Sequence, residues 1–582
     1  MMKNKGFKQN KAKVNKKDNF KNKWCQKIKN NWQTILAVFL SIIVMFYYVD
    51  KKQGYHEDEM FSYGSSNYKY DNVYRNYGYA QGNMDILYKE VIGSHDVNKL
   101  ITFLKDKPNN NYPEFSKNEV LFKEVPTWKS NRDAHDYLTI GKGDVFNYRS
   151  VYINQAFDVH PPLFYFLMHL VSSIFYGKFT KYIGFTLNII FFLGTLYFLD
   201  KICKRMGKKD ISAPTILLYG LSMGSISTVN FHRMYMMLTF FSIWYFYLTV
   251  DLIKNNYVIK KKWPWILCIL GGFLTQYYFC IYIVLVFILN AIYLIRKKEY
   301  KNLGKYLLVH VIPAIIGIAF YPVSIYQIFF SYRGFGAEDT GRSILTNLKY
   351  YSDAILKMFN LEKIIILLVC FLFLGMGYYY GQNKKFKDQK ILLNLFIPMF
   401  IYIVIVAKIA PFLGENYTSR YIMLLFPLFA LLMMYLFSLF YNSKYFNIIS
   451  IGVILLISIN GFMTKSPTYL YQDYSKSIEL ANNNKTVPFI YVYDNYFTHL
   501  SAMPEFDIYE KHLILNNNIY DYSLLNNDEV LKNNDSIIVC VKNWLDKDKV
   551  MEKILSNTKY KNKKEILYLN SDVESTYYLL TI

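Results

Sequence analysis

A carboxylate and an imidazole stand two residues apart in Gln155-Ala156-Phe157-Asp158-Val159-His160-Pro161-Pro162-Leu163-Phe164-Tyr165, at the lip of an apolar segment. Each proline fixes φ and lacks an N–H, so Asp158 and His160 must lie on irregular backbone just before a helix start. His160 can satisfy local backbone there, or work with Asp158. Far upstream, Tyr55-His56-Glu57-Asp58-Glu59-Met60-Phe61-Ser62-Tyr63 sets a run of acids at the exit of the first long apolar segment. Such acids are either a solvated patch or a site, because ionised groups at a membrane edge are costly unless hydrated or partnered. A carboxylate so placed suits removal of a proton from a hydroxyl. Two arginines end similar segments, in Asn230-Phe231-His232-Arg233-Met234-Tyr235 and in Gly414-Glu415-Asn416-Tyr417-Thr418-Ser419-Arg420-Tyr421. A lone arginine usually snorkels to the headgroups. Two guanidinium forks beside several carboxylates suit a phosphate held at the bilayer surface. Thr275-Gln276-Tyr277-Tyr278 marks the tight turn of a hairpin on the same side.

The elements that carry these groups are membrane spans. The chain has 582 residues, 53% of them hydrophobic, and apolar runs of spanning length recur from residue 33 to residue 464. The net charge of +24 does not point to nucleic acid, since much of the lysine lies in the leader and in short segments between apolar runs, where it reports orientation. The cysteines (Cys25, Cys203, Cys268, Cys280, Cys370 and Cys540) show no zinc-like or redox-like spacing, so no disulfide framework or thiolate metal site is inferred.

Residues 1–31 form a basic cytoplasmic tail. The first helix, near Trp32–Val49, is followed by no small-residue cleavage site and crosses uncleaved from inside to outside. The first outer loop then spans 50–178. Leu163–Tyr176 is short for a span, and placing it on the outer surface keeps the cluster Lys201, Lys204, Arg205, Lys208 and Lys209 inside. Further spans are expected near 180–199, 211–228, 235–252, 264–277, 279–295, 306–329, 362–381, 391–411, 421–440 and 447–464. The total is about eleven, with the N-terminus in the cytoplasm and the C-terminus outside. Every unusual polar group at a span end then falls on the outer face. Residues 465–582 are expected to form a soluble extracytoplasmic α/β domain, with buried strands at Val487–Tyr493 and Ser536–Val541, an amphipathic helix over Asn543–Asn557, and no catalytic constellation. Abundant lysine, asparagine, isoleucine and tyrosine suggest an AT-rich bacterial genome, and hence a plasma membrane.

The stretches Asp58-Glu59-Met60-Phe61-Ser62-Tyr63, Gln155–Tyr165, Asn230–Tyr235, Leu274–Phe279 and Thr418–Phe429 together resemble the C-type glycosyltransferase superfamily (GT-C) over roughly residues 30–464. The branch they resemble contains protein O-mannosyltransferases, lipid A aminoarabinose transferases and bacterial family-39-type glycosyltransferases. The resemblance implies a membrane glycosyltransferase that moves a sugar, hexosyl or pentosyl, from a polyprenyl-phosphate donor to a protein, cell-wall polymer or glycolipid on the outer face. It implies an inverting single displacement. Asp58 falls on the usual catalytic position, with Glu59 beside it. Asp158 matches the second loop acid, and His160 belongs to its motif. Arg233 and Arg420 match basic positions near the donor phosphate, and Tyr235, Tyr277, Glu415 and Tyr421 flank them as substrate-binding candidates. Relatives often carry histidine where this chain has Gln276, which puts any metal or proton role there in doubt. Acidic pairs in the superfamily can hold a divalent cation. The alternative is a transporter or flippase of a lipid-linked sugar, but such proteins bury charges near mid-membrane and often show internal repeats, and these spans are nearly free of acids.

Overall fold

Helix α1 (Asn31–Lys51) leads into a cap, not a loop. The computed structural model describes residues 26, 29, 31–68, 98, 126–156, 158–329, 344–359, 389–410, 418–440, 445–494, 498–570 and 574–582. Five residues beyond α1, His56 starts helix α2 (Glu57–Asn67) in a capping box: its imidazole accepts from Asp58 N–H, and Glu59 reaches back to His56 N–H. The acids Glu57, Asp58 and Glu59 fill the first turn, where the helix dipole favours negative charge. Helices α3 (Asn131–Leu138) and α4 (Tyr148–Ala156) pack on α2. At Gly64 of α2 the Tyr137 ring sits where a Cβ would project, 2.0 Å away, so only glycine permits this approach.

Helix α5 (Leu163–Ile174) follows the two prolines. Its 12 residues reach only about 18 Å, too short for a hydrocarbon core of about 30 Å. Leu170, Ile174, Phe175 and Tyr176 are exposed at its end. Helix α6 (Lys181–Arg205) is a full-length span. The single span expected over 211–228 is instead two short buried helices, α7 (Ser212–Gly220) and α8 (Met223–Asn230). They break at Ser222, whose hydroxyl caps α8 by accepting from Ser225 N–H at 3.1 Å. Protein surrounds the break on all sides, so its backbone never faces lipid. Helices α9 (Tyr235–Lys254), α10 (Trp263–Phe273), α11 (Tyr278–Arg296) and α12 (Tyr300–Phe320) follow, α10 being short. The expected span 306–329 ends at Phe320; Pro322 supplies no N–H there, and a separate helix α13 (Val323–Phe329) starts beyond it. Helices α14 (Ile344–Met358), α15 (Gln389–Ile409), α16 (Phe426–Phe440, entered through a 3-10 turn at Thr418–Leu425) and α17 (Phe446–Thr464) complete the bundle. Among the described residues eight helices are long and apolar enough to cross a membrane. The expected span 362–381 lies outside the described residues.

After helix α18 (Tyr474–Asn483) the tail builds a sheet in the order β1-β3-β2-β4-β6-β5. Its strands are β1 (Lys129–Ser130), β2 (Phe489–Tyr493), β3 (Lys511–Asn516), β4 (Ser536–Lys542), β5 (Asn562–Leu569) and β6 (Ser575–Thr581). Strand β2 is parallel to β3 and β4, whereas the other pairs are antiparallel. Alternation puts Phe489, Tyr491, Tyr493, Ile538 and Cys540 into the main core. Ile490, Val492, Val539 and Val541 face a separate core under helix α19 (Lys547–Ser556). The tail is not self-contained, because its edge strand β1 comes from the first loop. The amphipathic helix expected from Asn543 starts only at Lys547, capped by Asp546, and leaves Trp544 outside it.

Candidate functional site

The end of α1, the starts of α6 and α9, and the end of α17 gather at one end of the bundle beneath the sheet. Lys181, first in α6, donates to the carbonyls of Asp50 and Lys52, both at 2.8 Å. Thr468, just past α17, donates its N–H to Ser227 of α8 at 3.0 Å. This packing brings two groups of expected site residues together.

The first group is centred on α2. Asp58 pairs with Arg420, and 28% of the Asp58 side chain is exposed. Arg420 is itself buried, with its Nη2 3.4 Å from His56 Nε2 and its guanidinium 5.3 Å from the Phe231 ring centroid. Phe231 stacks between Tyr235 and Tyr469, with centroids at 5.4 and 3.9 Å, which fixes the aromatic wall behind the arginine. Tyr235 also shares a side-chain hydrogen bond with Arg420. His56 Nδ1 accepts from Asp58 N–H at 3.0 Å, so in the neutral ring the proton is on Nε2. Burial holds this imidazole below its usual pKa, against the pull of Glu57 and Asp58, and the nearby arginines add to the burial effect.

Arg233 has a different task. Its Nη1 donates to Asp58 O (3.1 Å), Ser62 Oγ (2.7 Å) and Tyr165 OH (3.0 Å), which ties α9 to α2 and α5. Through Tyr165, on the helix that follows the Asp158 motif, that segment reaches the same guanidinium that holds Asp58 O.

Asp158 belongs to the second group. His160 Nδ1 lies 2.8 Å from Asp158 Oδ2, with both side chains one-tenth exposed. Gln327, on α13, donates to the carbonyls of Asp158 (2.6 Å) and Gln155 (2.9 Å), and its Oε1 accepts from Tyr277 OH at 2.6 Å. Gln276 turns its own Oε1 onto Tyr277 N–H at 2.8 Å, a local hairpin contact. The sequence did not single out Gln327, because that residue lay inside the expected span 306–329; the signal was Pro322, which ends the helix before it. Tyr421 is buried, with its carbonyl accepting from Tyr402 OH at 2.9 Å and its ring 5.2 Å from that of Tyr278. Glu415 lies outside the described residues.

Glu59 is fully buried and holds other residues in place. Its carboxylate accepts from His56 N–H (2.8 Å), His232 N–H (2.8 Å) and Lys52 Nζ (3.0 Å). Lys52 also donates to Tyr469 O at 2.6 Å. Burial pushes the Glu59 carboxyl up, and Lys52 and the two backbone donors pull it down. A Lys52–Glu59 pair with neither side chain exposed costs about 3–5 kcal/mol when one partner is removed, because the other charge is stranded. Glu59→Gln and Lys52→Met should each lower the melting temperature in detergent sharply. The double variant should lose less than the sum of the two, and strict additivity would show that the pair is not coupled.

Among the described residues no group of three or more His, Cys, Asp or Glu side chains could hold a metal ion. Asp58 is matched to Arg420 and Asp158 to His160.

No protein-family signature and no curated protein sequence matches the chain. Solved structures do. The crystal structure of ArnT from Cupriavidus metallidurans bound to undecaprenyl phosphate superposes with a TM-score of 0.51 at 9% identity, covering 94% of this chain and 98% of that one. The apo crystal structure of the same protein superposes with a TM-score of 0.45 at 9% identity, covering 79% and 94%. Over nearly its whole length this polytopic membrane protein therefore has the fold of the ArnT crystal structure.

Proposed function

We propose that the protein is a membrane glycosyltransferase that moves a sugar, hexosyl or pentosyl, from a polyprenyl-phosphate donor to an acceptor on the outer face of the plasma membrane. The observation that carries this reading is the partly exposed Asp58 carboxylate paired with the buried Arg420 at the water end of an ArnT-like bundle. The ArnT structure was crystallised with undecaprenyl phosphate, which supports a lipid phosphate as the donor's carrier.

The chemistry follows from the charges. In this reading the donor phosphate competes with Asp58 for Arg420 and draws the guanidinium onto itself, and the freed carboxylate faces the acceptor. Asp58 takes the proton of the acceptor hydroxyl as its oxygen bonds to the anomeric carbon. The anomeric carbon–phosphate oxygen bond breaks, and the phosphate leaves with the electron pair, stabilised by Arg420. One displacement inverts the anomeric centre. Arg233, Glu59, Gln327 and His160 hold the two acid motifs in place.

The test is purified full-length protein with a polyprenyl-phosphate sugar and a cell-envelope fraction as acceptor, followed by mass spectrometry. Release of free polyprenyl phosphate together with glycosylated acceptor is expected. Transbilayer movement of an intact donor without its consumption would establish the transporter reading instead.

A further inference from the structure

Asp58 pairs with Arg420, and its neighbour Glu57 sets its carboxylate 3.4 Å from His56 Nε2. A third of the Glu57 side chain is exposed (34%), and its charge acts on both Lys542 and Tyr491 of the sheet. The turn after β2, Thr498–Ala502, packs against α2. The carboxyl end of β2, next to that of its parallel neighbour β4, therefore lies on the side of the sheet that meets α2. Ligands of sheets with parallel strands are taken at that end.

Four side chains of contrasting chemistry meet there. Tyr493 and Asp494 close β2, Lys542 closes β4, and Trp544 follows. Trp544 is 46% exposed, yet its indole is pinned, because Nε1 donates to Asp494 Oδ1 at 2.6 Å. Lys542 is nearly buried, its Nζ 5.3 Å from the Trp544 ring centroid and 5.7 Å from that of Tyr491. The surroundings are polar: the Asn518 amide donates to Asp494 O at 3.3 Å, and Asn543 accepts from Thr576 Oγ1 at 2.6 Å.

We propose that this edge is the acceptor subsite and that it takes a sugar ring of a carbohydrate acceptor. A pyranose offers one face of C–H bonds, which complements the negative face of a fixed indole. Its hydroxyls need a few placed polar groups, here Asp494 and the ammonium of Lys542. A chain seated on Trp544 runs past Glu57 to Asp58. The assignment of this edge as an acceptor site rests on the glycosyl-transfer reading, but carbohydrate binding to Trp544 can be tested without it.

Full-length Trp544→Ala, Trp544→Phe and Asp494→Asn proteins in detergent would be compared with wild type on an array of bacterial glycans, and wild type would be assayed for consumption of a polyprenyl-phosphate sugar in the presence of a cell-envelope acceptor. Wild type should bind a defined set of glycans. Trp544→Ala should lose roughly ten-fold or more in affinity, as expected for removal of an aromatic anchor, while Trp544→Phe retains part and Asp494→Asn weakens it. The melting temperature should stay unchanged in the Trp544 variants, which separates lost binding from lost folding. Undiminished glycan binding by Trp544→Ala, or no glycan bound by wild type, would overturn the proposal. A wild-type protein that binds glycans through Trp544 but never consumes donor would leave the carbohydrate site standing and remove the transferase reading.

Discussion

Asp58→Asn should abolish sugar transfer, with a fall of about 10²–10⁴-fold in turnover, the usual contribution of a positioned general base. The amide keeps the shape of the carboxyl but takes no proton. The backbone around it should not move, because Asp58 N–H is held by His56 and Asp58 O by Arg233, contacts that the substitution leaves alone. The variant should therefore melt with the wild type. It should also bind undecaprenyl phosphate at least as tightly, since Arg420 no longer answers to a carboxylate anion. Release of free polyprenyl phosphate measures the first effect, and a lipid-phosphate binding isotherm measures the second. Wild-type turnover in the variant would exclude Asp58 as the base.

Arg420→Lys should be nearly as damaging, lowering kcat by about 10²–10³-fold, the range for losing one preorganised donor to a developing anion. The guanidinium pairs with Asp58 and lies against Phe231, so it presents a flat fork already oriented by an aromatic wall. A lysine ammonium is a single flexible point and cannot reproduce that arrangement. Arg233→Lys offers the contrast. Arg233 is spent on Asp58 O, Ser62 and Tyr165, so its loss should lower the melting temperature as well as the activity. Comparing kcat and melting curves of the two variants separates the roles. Arg420→Lys turning over like wild type would remove Arg420 from the leaving-group site.

Residue order alone specified a good deal of this protein. Apolar runs too long for a soluble core announce the membrane bundle, because hydrocarbon tolerates little else than helices with satisfied backbones. Two prolines and a string of acids mark where the chain leaves that bundle, and the motifs built on them resemble GT-C enzymes, while superposition shows the fold of the ArnT crystal structure. What the sequence cannot express is contact between distant segments. Glu59 and Asp58 are adjacent acids with the same chemistry, and only folding divides them. The helical turn sends Glu59 inward to Lys52 and the His232 N–H, and it leaves Asp58 at the open side beside Arg420. Gln327 looked like one more residue of a span until Pro322 ended the helix, and Lys129–Ser130 looked like loop until they paired with β3. Hydrophobic periodicity records which face of an element is buried. Which partner it is buried against depends on packing between elements hundreds of residues apart, and only the tertiary structure decides that.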